Sequence, residues 1–281
     1  MKICDLLKKN LPGYEIISLM EFGGSSEVYK IVNKHNGELF VLKVVTHQRV
    51  VAKEASNEIK ALETLGLLVK SFEIDIVNEN ETLKAVCILM KLYPGIRLDL
   101  YLAEHKSYDR LERLELALKC AQLVQNIHEK SLLHNDISPS NFIYDSLTNN
   151  LNIIDFGWSR QVDGDFSKGL EIHYWGWRWF NPPEYLHYKG IPGGILTIKP
   201  NSEIYMLGHT LKYLLGQADP SRFKEQPDRL EFKELEDLIE QMTIESSPEK
   251  RINIHEVVTK LNTLMASVQQ ANNPPPARCL I

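Results

Sequence analysis

From Tyr14 to about Val45, β-branched and aromatic residues alternate with polar ones and are interrupted by turn residues. Among them is Asn36-Gly37, a strong two-residue hairpin signal. The pattern predicts a three-strand antiparallel meander. The period then changes: over Val51–Leu65 the apolar residues Ala55, Ile59, Leu62 and Leu65 recur at the spacing of one helical face, which predicts a helix. Lys84–Leu92 is a short apolar run closed by Pro94-Gly95, the signature of a buried strand ending in a turn, and a lobe boundary is expected there. Beyond it the pattern is helical. Leu114, Ala117, Leu118, Ala121, Val124 and Ile127 form a stripe along a helix predicted for Arg110–Glu129. Leu151–Ile154 reads as a second buried strand, and Ser202–Leu215 and Glu231–Met242 as helices, the former with Asn201 or Ser202 as N-cap. Gln269–Ala277 contains Asn-Asn-Pro-Pro-Pro and is expected to be a disordered tail. The sum is an α+β chain, strand-rich first and mainly helical afterwards.

Composition narrows the functional classes. With 43% hydrophobic and 25% charged residues over 281 positions, the chain is ordinary globular material with length for one large domain or two lobes. A formal charge of -5 excludes a global basic field for nucleic acid or an anionic membrane. Cys4, Cys87, Cys120 and Cys279 are scattered without a C-x-x-C pair, which suggests neither a zinc site nor a disulfide framework and fits a reducing, cytoplasmic setting. Asp5, Lys8 and Lys9 break the N-terminal apolar stretch, no run reaches the roughly 18 apolar residues of a transmembrane segment, and Cys279 stands third from the end where prenylation reads a cysteine fourth from it. A soluble chain is expected. The Pro-rich tail is open to two readings, a partner ligand or a loose end.

The chemistry concentrates in His134-Asn135-Asp136-Ile137-Ser138-Pro139-Ser140-Asn141, followed by Ile153-Ile154-Asp155-Phe156-Gly157. Phosphoryl transfer to a hydroxyl needs a carboxylate to orient the hydroxyl and accept its proton, and hard oxygen ligands to hold Mg²⁺ against the phosphates. Asp136, Asn141 and Asp155 carry those groups. The spacing puts Asp136 and Asn141 on one irregular loop, and an apolar strand delivers Asp155 just before a glycine that lets the chain turn.

On these motifs and their order the chain, from about Tyr14 to Met265, resembles a eukaryotic-type protein kinase domain. The resemblance implies a bilobal protein-kinase-like fold with a small β-rich N-lobe (about 14–90) and a larger, mainly α C-lobe (about 94–265), after a 1–13 extension and before a 266–281 tail. It implies ATP and Mg²⁺ as cofactors and a protein substrate. Lys43 resembles the third-strand lysine that acts on the α and β phosphates, Glu58 its helix partner, Asp136 the catalytic carboxylate, and Asn141 and Asp155 the metal ligands. Gly23, Gly24, Ser25 and Ser26 stand in the Gly-rich loop, where Glu21 and Ser26 replace the outer glycines; the glycines and serines still allow backbone amides to approach phosphate. By resemblance Val28 and Val41 roof the adenine, Ile143 floors it, Met90 is the gatekeeper and Leu92 lies in the hinge.

Gly176–Glu184 resembles the end of an activation segment, with Arg251 as the partner of Glu184, and Ser202–Gly208 resembles the helix whose aspartate anchors the catalytic loop, with Glu203 in its place. Asn135 occupies the position of an arginine that receives an activation-loop phosphate, so activity is expected not to require phosphorylation of Ser159 or Ser167. Ser138 stands where serine/threonine kinases carry a lysine, and Trp177 where they carry a threonine. The first reading is a serine/threonine protein kinase. The alternatives are a small-molecule kinase of the aminoglycoside/choline type, suggested by Ser138, and a pseudokinase interaction module, suggested by Glu21, Ser26, Asn135 and Trp177.

Overall fold

A computed structural model describes residues 9–22, 26–46, 49–77, 82–104, 110–173, 180–186, 194–218 and 228–272. The chain divides into two compact units, one of Met1–Tyr93 with Asp155–Gln161, the other of Pro94–Ile154 with Val162–Ile281.

The first unit holds β1 (Tyr14–Phe22), β2 (Ser26–Asn33), β3 (Leu39–Thr46), helix α1 (Arg49–Leu65), β4 (Leu68–Val77) and β5 (Thr82–Lys91). The strands form one antiparallel sheet in the order β1-β2-β3-β5-β4. The predicted meander is β1–β3. Its second turn closes through Gly37 N–H donating to Asn33 O (2.8 Å) and Asn33 N–H to Glu38 O (2.9 Å), with Gly37 at φ +73°. The predicted Lys84–Leu92 strand is the body of β5. Strand β4 was not predicted, although Phe72-Glu73-Ile74-Asp75-Ile76 alternates with the period of a strand.

Strand alternation gives this sheet two functions. Ile31, Phe40, Leu42, Val44, Cys87 and Leu89 point to one face and make a buried core with Leu11 and Ile74. Each fully buried Leu or Ile there contributes roughly 2 kcal/mol. Leu11 lies inside this core, so the core of the sheet draws on a residue that precedes Tyr14. The opposite face carries Val28, Val41, Lys43 and Met90, because Val28 pairs with Lys43 and Val41 with Met90. Helix α1 packs on the sheet, and over Ala55–Leu65 its buried residues are Ala55, Glu58, Ala61 and Leu62, so a glutamate belongs to its apolar face.

The second unit contains β6 (Ile96–Arg97), α2 (Leu98–Glu104), α3 (Arg110–Glu129), β7 (Phe142–Asp145), β8 (Asn150–Ile153), β9 (Leu170–His173), α4 (Pro183–Leu186), β10 (Ile195–Ile198), α5 (Pro200–Leu214), α6 (Lys233–Met242) and α7 (Ile254–Asn272). Strands β6, β7 and β8 form one small sheet and β9 pairs with β10. Helix α3 has the predicted bounds and packs against α5 and α7. It is buried on more than one stripe: Leu116 and Cys120 join the predicted residues, while Leu118 is half-buried. Arg113 is buried with them, its Nη1 donating to Leu214 O (2.8 Å) and Asp228 O (2.7 Å).

Three expectations are corrected here. Helix α5 starts at Pro200, with Lys199 at the cap and no side-chain cap bond. Proline supplies the preset φ of the first turn, and both predicted caps are engaged elsewhere: Asn201 Nδ2 donates to Pro248 O (2.9 Å) and Ser202 Oγ to Glu184 Oε1 (2.9 Å). Helix α6 starts at Lys233, where Glu236 Oε1 accepts the N–H of buried Phe232 (3.1 Å). Helix α7 runs through Asn272, past the expected tail start at 266 and into Gln269–Ala277, because the first residue barred from a helix is the one before Pro274; residues 273–281 lie outside the described residues. Among the described residues no helix is long and apolar enough to cross a membrane.

Gly95 ties β6 to β7 by close approach. It sits at φ +111°, and a Cβ there would lie 2.2 Å from Tyr144 O. Gly95→Ala is expected to destabilise by about 3 kcal/mol or more, against about 1 kcal/mol for Gly37→Ala, which has positive φ but open space around it. Urea unfolding of the two variants, followed by fluorescence, checks the difference.

Candidate active site

Lys43 on β3 and Glu58 on α1 meet as an ion pair, Nζ to Oε2 2.8 Å and to Oε1 3.0 Å. Nζ also reaches Asp155 Oδ1 at 3.0 Å. The side chains of Lys43 and Glu58 are 16% and 3% exposed, whereas that of Asp155 is 44% exposed. Burial works against the charge on Lys43, but Glu58 and Asp155 more than offset it and hold the ammonium well above the ordinary lysine range. Lys43 is therefore cationic throughout the neutral range. Asp155 adopts φ 62°, ψ 74°, a left-handed conformation costly for a residue with a Cβ. Gly157 stands beside the cluster, where a Cβ would lie 3.4 Å from Asp155 Oδ1 and 3.9 Å from Lys43 Nζ.

The loop between α3 and β7 is built around His134. This fully buried ring offers Nε2 to Ile154 O (3.1 Å) and Nδ1 to Asp136 N–H (3.2 Å), which sets Nε2 as the protonated nitrogen. Asn141 Nδ2 donates to Asp136 O (2.7 Å), closing the loop between the two residues. Asn141 O accepts the N–H of Ile154 (2.9 Å), pinning the chain one residue before Asp155. Asn135 takes φ 61°, a conformation asparagine tolerates better than most residues, and donates its N–H to Glu203 Oε1. Glu203 is completely buried, and its Oε2 bonds His128 Nε2 at 2.7 Å. The two oxygens of Glu203 thus hold two separate segments, α3 and the loop before Asp136.

The other proposed residues divide as follows. Val28, Val41 and Met90 are half-buried on the Lys43 face of the sheet, outside its hydrophobic core, and Ser26 opens β2 on that face. Leu92 follows β5, and Ile143 sits on β7 opposite Arg97 and Asn152. Gly23, Gly24 and Ser25 lie outside the described residues, as do Gly176–Trp179. Ser138 Oγ is bonded to Ser140 Oγ (2.9 Å) inside the loop. Glu184 and Arg251 form the expected pair, doubly bonded at 2.7 and 2.9 Å, with Arg251 over the Tyr205 ring at 4.8 Å. Ser159 is fully buried and donates its hydroxyl to Phe156 O (2.6 Å), which removes it from reach of a modifying enzyme. His128 was missed in the sequence; its signal was a histidine one residue after Ile127 on the buried stripe of α3. Among the described residues no cluster of three or more His, Cys, Asp or Glu forms a metal site. Asp155 in the first unit carries a carboxylate and Asn141 in the second an amide oxygen, donor types of the kind Mg²⁺ takes rather than those of a thiolate or imidazole metal.

The protein kinase domain family model matches residues 14–275, and the chain belongs to that family. It is 23% identical over 264 residues to the dual specificity protein kinase Ttk of Danio rerio, covering 86% of this chain and 26% of that protein. It is 24% identical over 190 residues to the serine/threonine-protein kinase tousled-like 1 of Caenorhabditis elegans, covering 61% of this chain and 19% of that protein. The match to the serine/threonine-protein kinase mph1 of Schizosaccharomyces pombe is 26% over 147 residues, 51% of this chain and 21% of that one. The chain thus spans about a quarter or less of these relatives.

Removing Lys43 alone should do more than slow a reaction, because it strands Glu58 as a buried carboxylate. Lys43→Met is expected to destabilise by about 3 kcal/mol, and Lys43→Met/Glu58→Leu to recover most of that loss without recovering activity. Chemical denaturation beside a phosphotransfer assay checks both halves of the prediction.

Proposed function

We propose that this protein kinase domain transfers the γ-phosphoryl group of ATP to a serine or threonine hydroxyl of a protein, in the cytoplasm. The observation that carries the reading is the Lys43–Glu58–Asp155 cluster. A lysine held cationic by one buried carboxylate and touching a second, half-exposed one is arranged to present positive charge to phosphate oxygens. A scaffold has no need of that arrangement. Asp136, fixed by its N–H on His134, accepts the proton of the acceptor hydroxyl as its oxygen bonds to phosphorus and the β–γ bridging oxygen leaves with ADP. Asp155 and the Asn141 amide oxygen would hold Mg²⁺, which neutralises charge on the phosphates when bound. The acceptor as serine or threonine rests on the similarity to tousled-like 1 and mph1, both serine/threonine-protein kinases, whereas Ttk is a dual specificity kinase, and the cytoplasm rests on Cys87 and Cys120, both free and buried.

The test is to incubate the purified chain with γ-labelled Mg-ATP and generic acceptor proteins, then identify the labelled amino acid. Asp136→Asn is expected to lower kcat by about a hundredfold or more with little change in the ATP KM. Equal labelling by that variant would refute the assignment, and label in an alcohol metabolite with none in protein would select a small-molecule kinase. Ser159→Ala/Ser167→Ala is expected to keep its activity; complete loss would show that a phosphate on this segment is required.

A further inference from the structure

The loop that carries Asp136 holds two hydroxyls in contact. Ser138 precedes the single turn Pro139–Asn141, a place from which serine ordinarily accepts a backbone N–H of the turn, yet its side chain makes no capping bond. Its Oγ lies instead 2.9 Å from Ser140 Oγ. Such departures from a local preference are expected at strained or functional sites, and Ser138 is in ordinary extended backbone (φ -155°, ψ 157°), so strain does not account for this one. The pair is also held firmly. Asn141 N–H donates to Ser138 O (3.0 Å), Asn141 Nδ2 donates to Asp136 O (2.7 Å), and the turn packs on β6 and α2. All of these residues belong to the second unit.

Two hydroxyls carry two protons, and their mutual bond uses one. Among the described residues neither oxygen has another hydrogen-bond partner. Ser138 is 7% exposed and Ser140 half-buried, so the buried hydroxyl has Ser140 to donate to, and the proton of Ser140 is the one within reach of a ligand. Donation from Ser138 polarises Ser140 and makes it the stronger donor. We infer that Ser140 binds the protein substrate: resting on the kinase reading above, its hydroxyl donates to a carbonyl or carboxylate oxygen of that protein, on the same loop as the carboxylate that takes the substrate's proton. Ser138 is a positioning residue, since it acts through Ser140. A neutral hydroxyl suits such oxygens, whereas phosphates are gripped by cations and backbone amides.

The test uses the full chain, Mg-ATP and two protein substrates, acidic casein and basic histone. Ser140→Ala is expected to raise the protein KM about fivefold or more, while the ATP KM moves by less than about twofold. A rise for both proteins identifies a backbone carbonyl as the partner, and a rise for casein alone a carboxylate. Ser138→Ala is expected to act in the same direction but more weakly, and the double variant to be no worse than Ser140→Ala, because Ser138 contributes only through its neighbour. Should Ser140→Ala fail to fold, Ser140→Cys keeps the shape of the side chain, offers only a weak donor and is expected to give the same rise. An unchanged protein KM for both substrates in a folded variant, or a rise in the ATP KM alone, overturns this inference and leaves the kinase reading standing. A wild-type chain that labels no protein and hydrolyses no ATP overturns the kinase reading, and this one with it.

Discussion

A carboxylate with no access to water governs the second unit. Glu203 lies at zero exposure in α5, and an unpaired charge in such a place costs several kcal/mol. Its two oxygens are satisfied by groups from two other segments, the Asn135 N–H and the His128 ring. The cost of leaving either oxygen unbonded fixes where those segments lie. For Asn135 that means accepting a left-handed backbone conformation, which turns the chain so that Asp136 follows in a loop tied down by His134 and Asn141. Strain at Asn135 is therefore offset by bonding at Glu203, and the geometry of the loop is a consequence of burial in the helical core.

The first unit solves a similar problem in the opposite way. Its buried carboxylate, Glu58, is neutralised by a full charge rather than by a histidine and a backbone amide. Lys43 is shared with Asp155, a residue that sequence places far away but that packs in the same unit. Only one of the two carboxylates around Lys43 is buried, and that asymmetry matters chemically. The buried one holds the lysine in place, while the half-exposed one keeps contact with solvent and hence with whatever binds there.

Much of this was legible in the residues because it depends on local pattern. The meander, α1, α3 and the paired motifs around Asp136 and Asp155 each follow from periodicity or from fixed spacing, and the family match over 14–275 bears out the resemblance they suggested. What escaped was non-local. Pro200 starts α5 because Asn201 and Ser202 are bonded to Pro248 and Glu184, partners no window of sequence contains. The helix past residue 266 continues because nothing before Asn273 forbids it, although the prolines beyond suggested an earlier end. The partners of Glu203 are non-local as well: its two oxygens bond the Asn135 N–H and the His128 ring, on other elements.

The glycines carry the same lesson further. Gly37, Gly95 and Gly169 all have positive φ, and the sequence flags the first two, as parts of the Asn36-Gly37 and Pro94-Gly95 turns, but not the third. Space around Gly37 is open, so its role is conformational and local. At Gly95 and Gly169 a backbone carbonyl from a distant strand, that of Tyr144 or Ile198, occupies the place of a Cβ. Those two positions are therefore constrained by packing as well as by φ, and each marks a junction where one segment is pressed on another: Gly95 where the chain enters the second unit, Gly169 where the segment before Pro183-Glu184 meets the strand leading to Glu203. At both junctions the direction of the chain is fixed by backbone packing that leaves no room for a side chain.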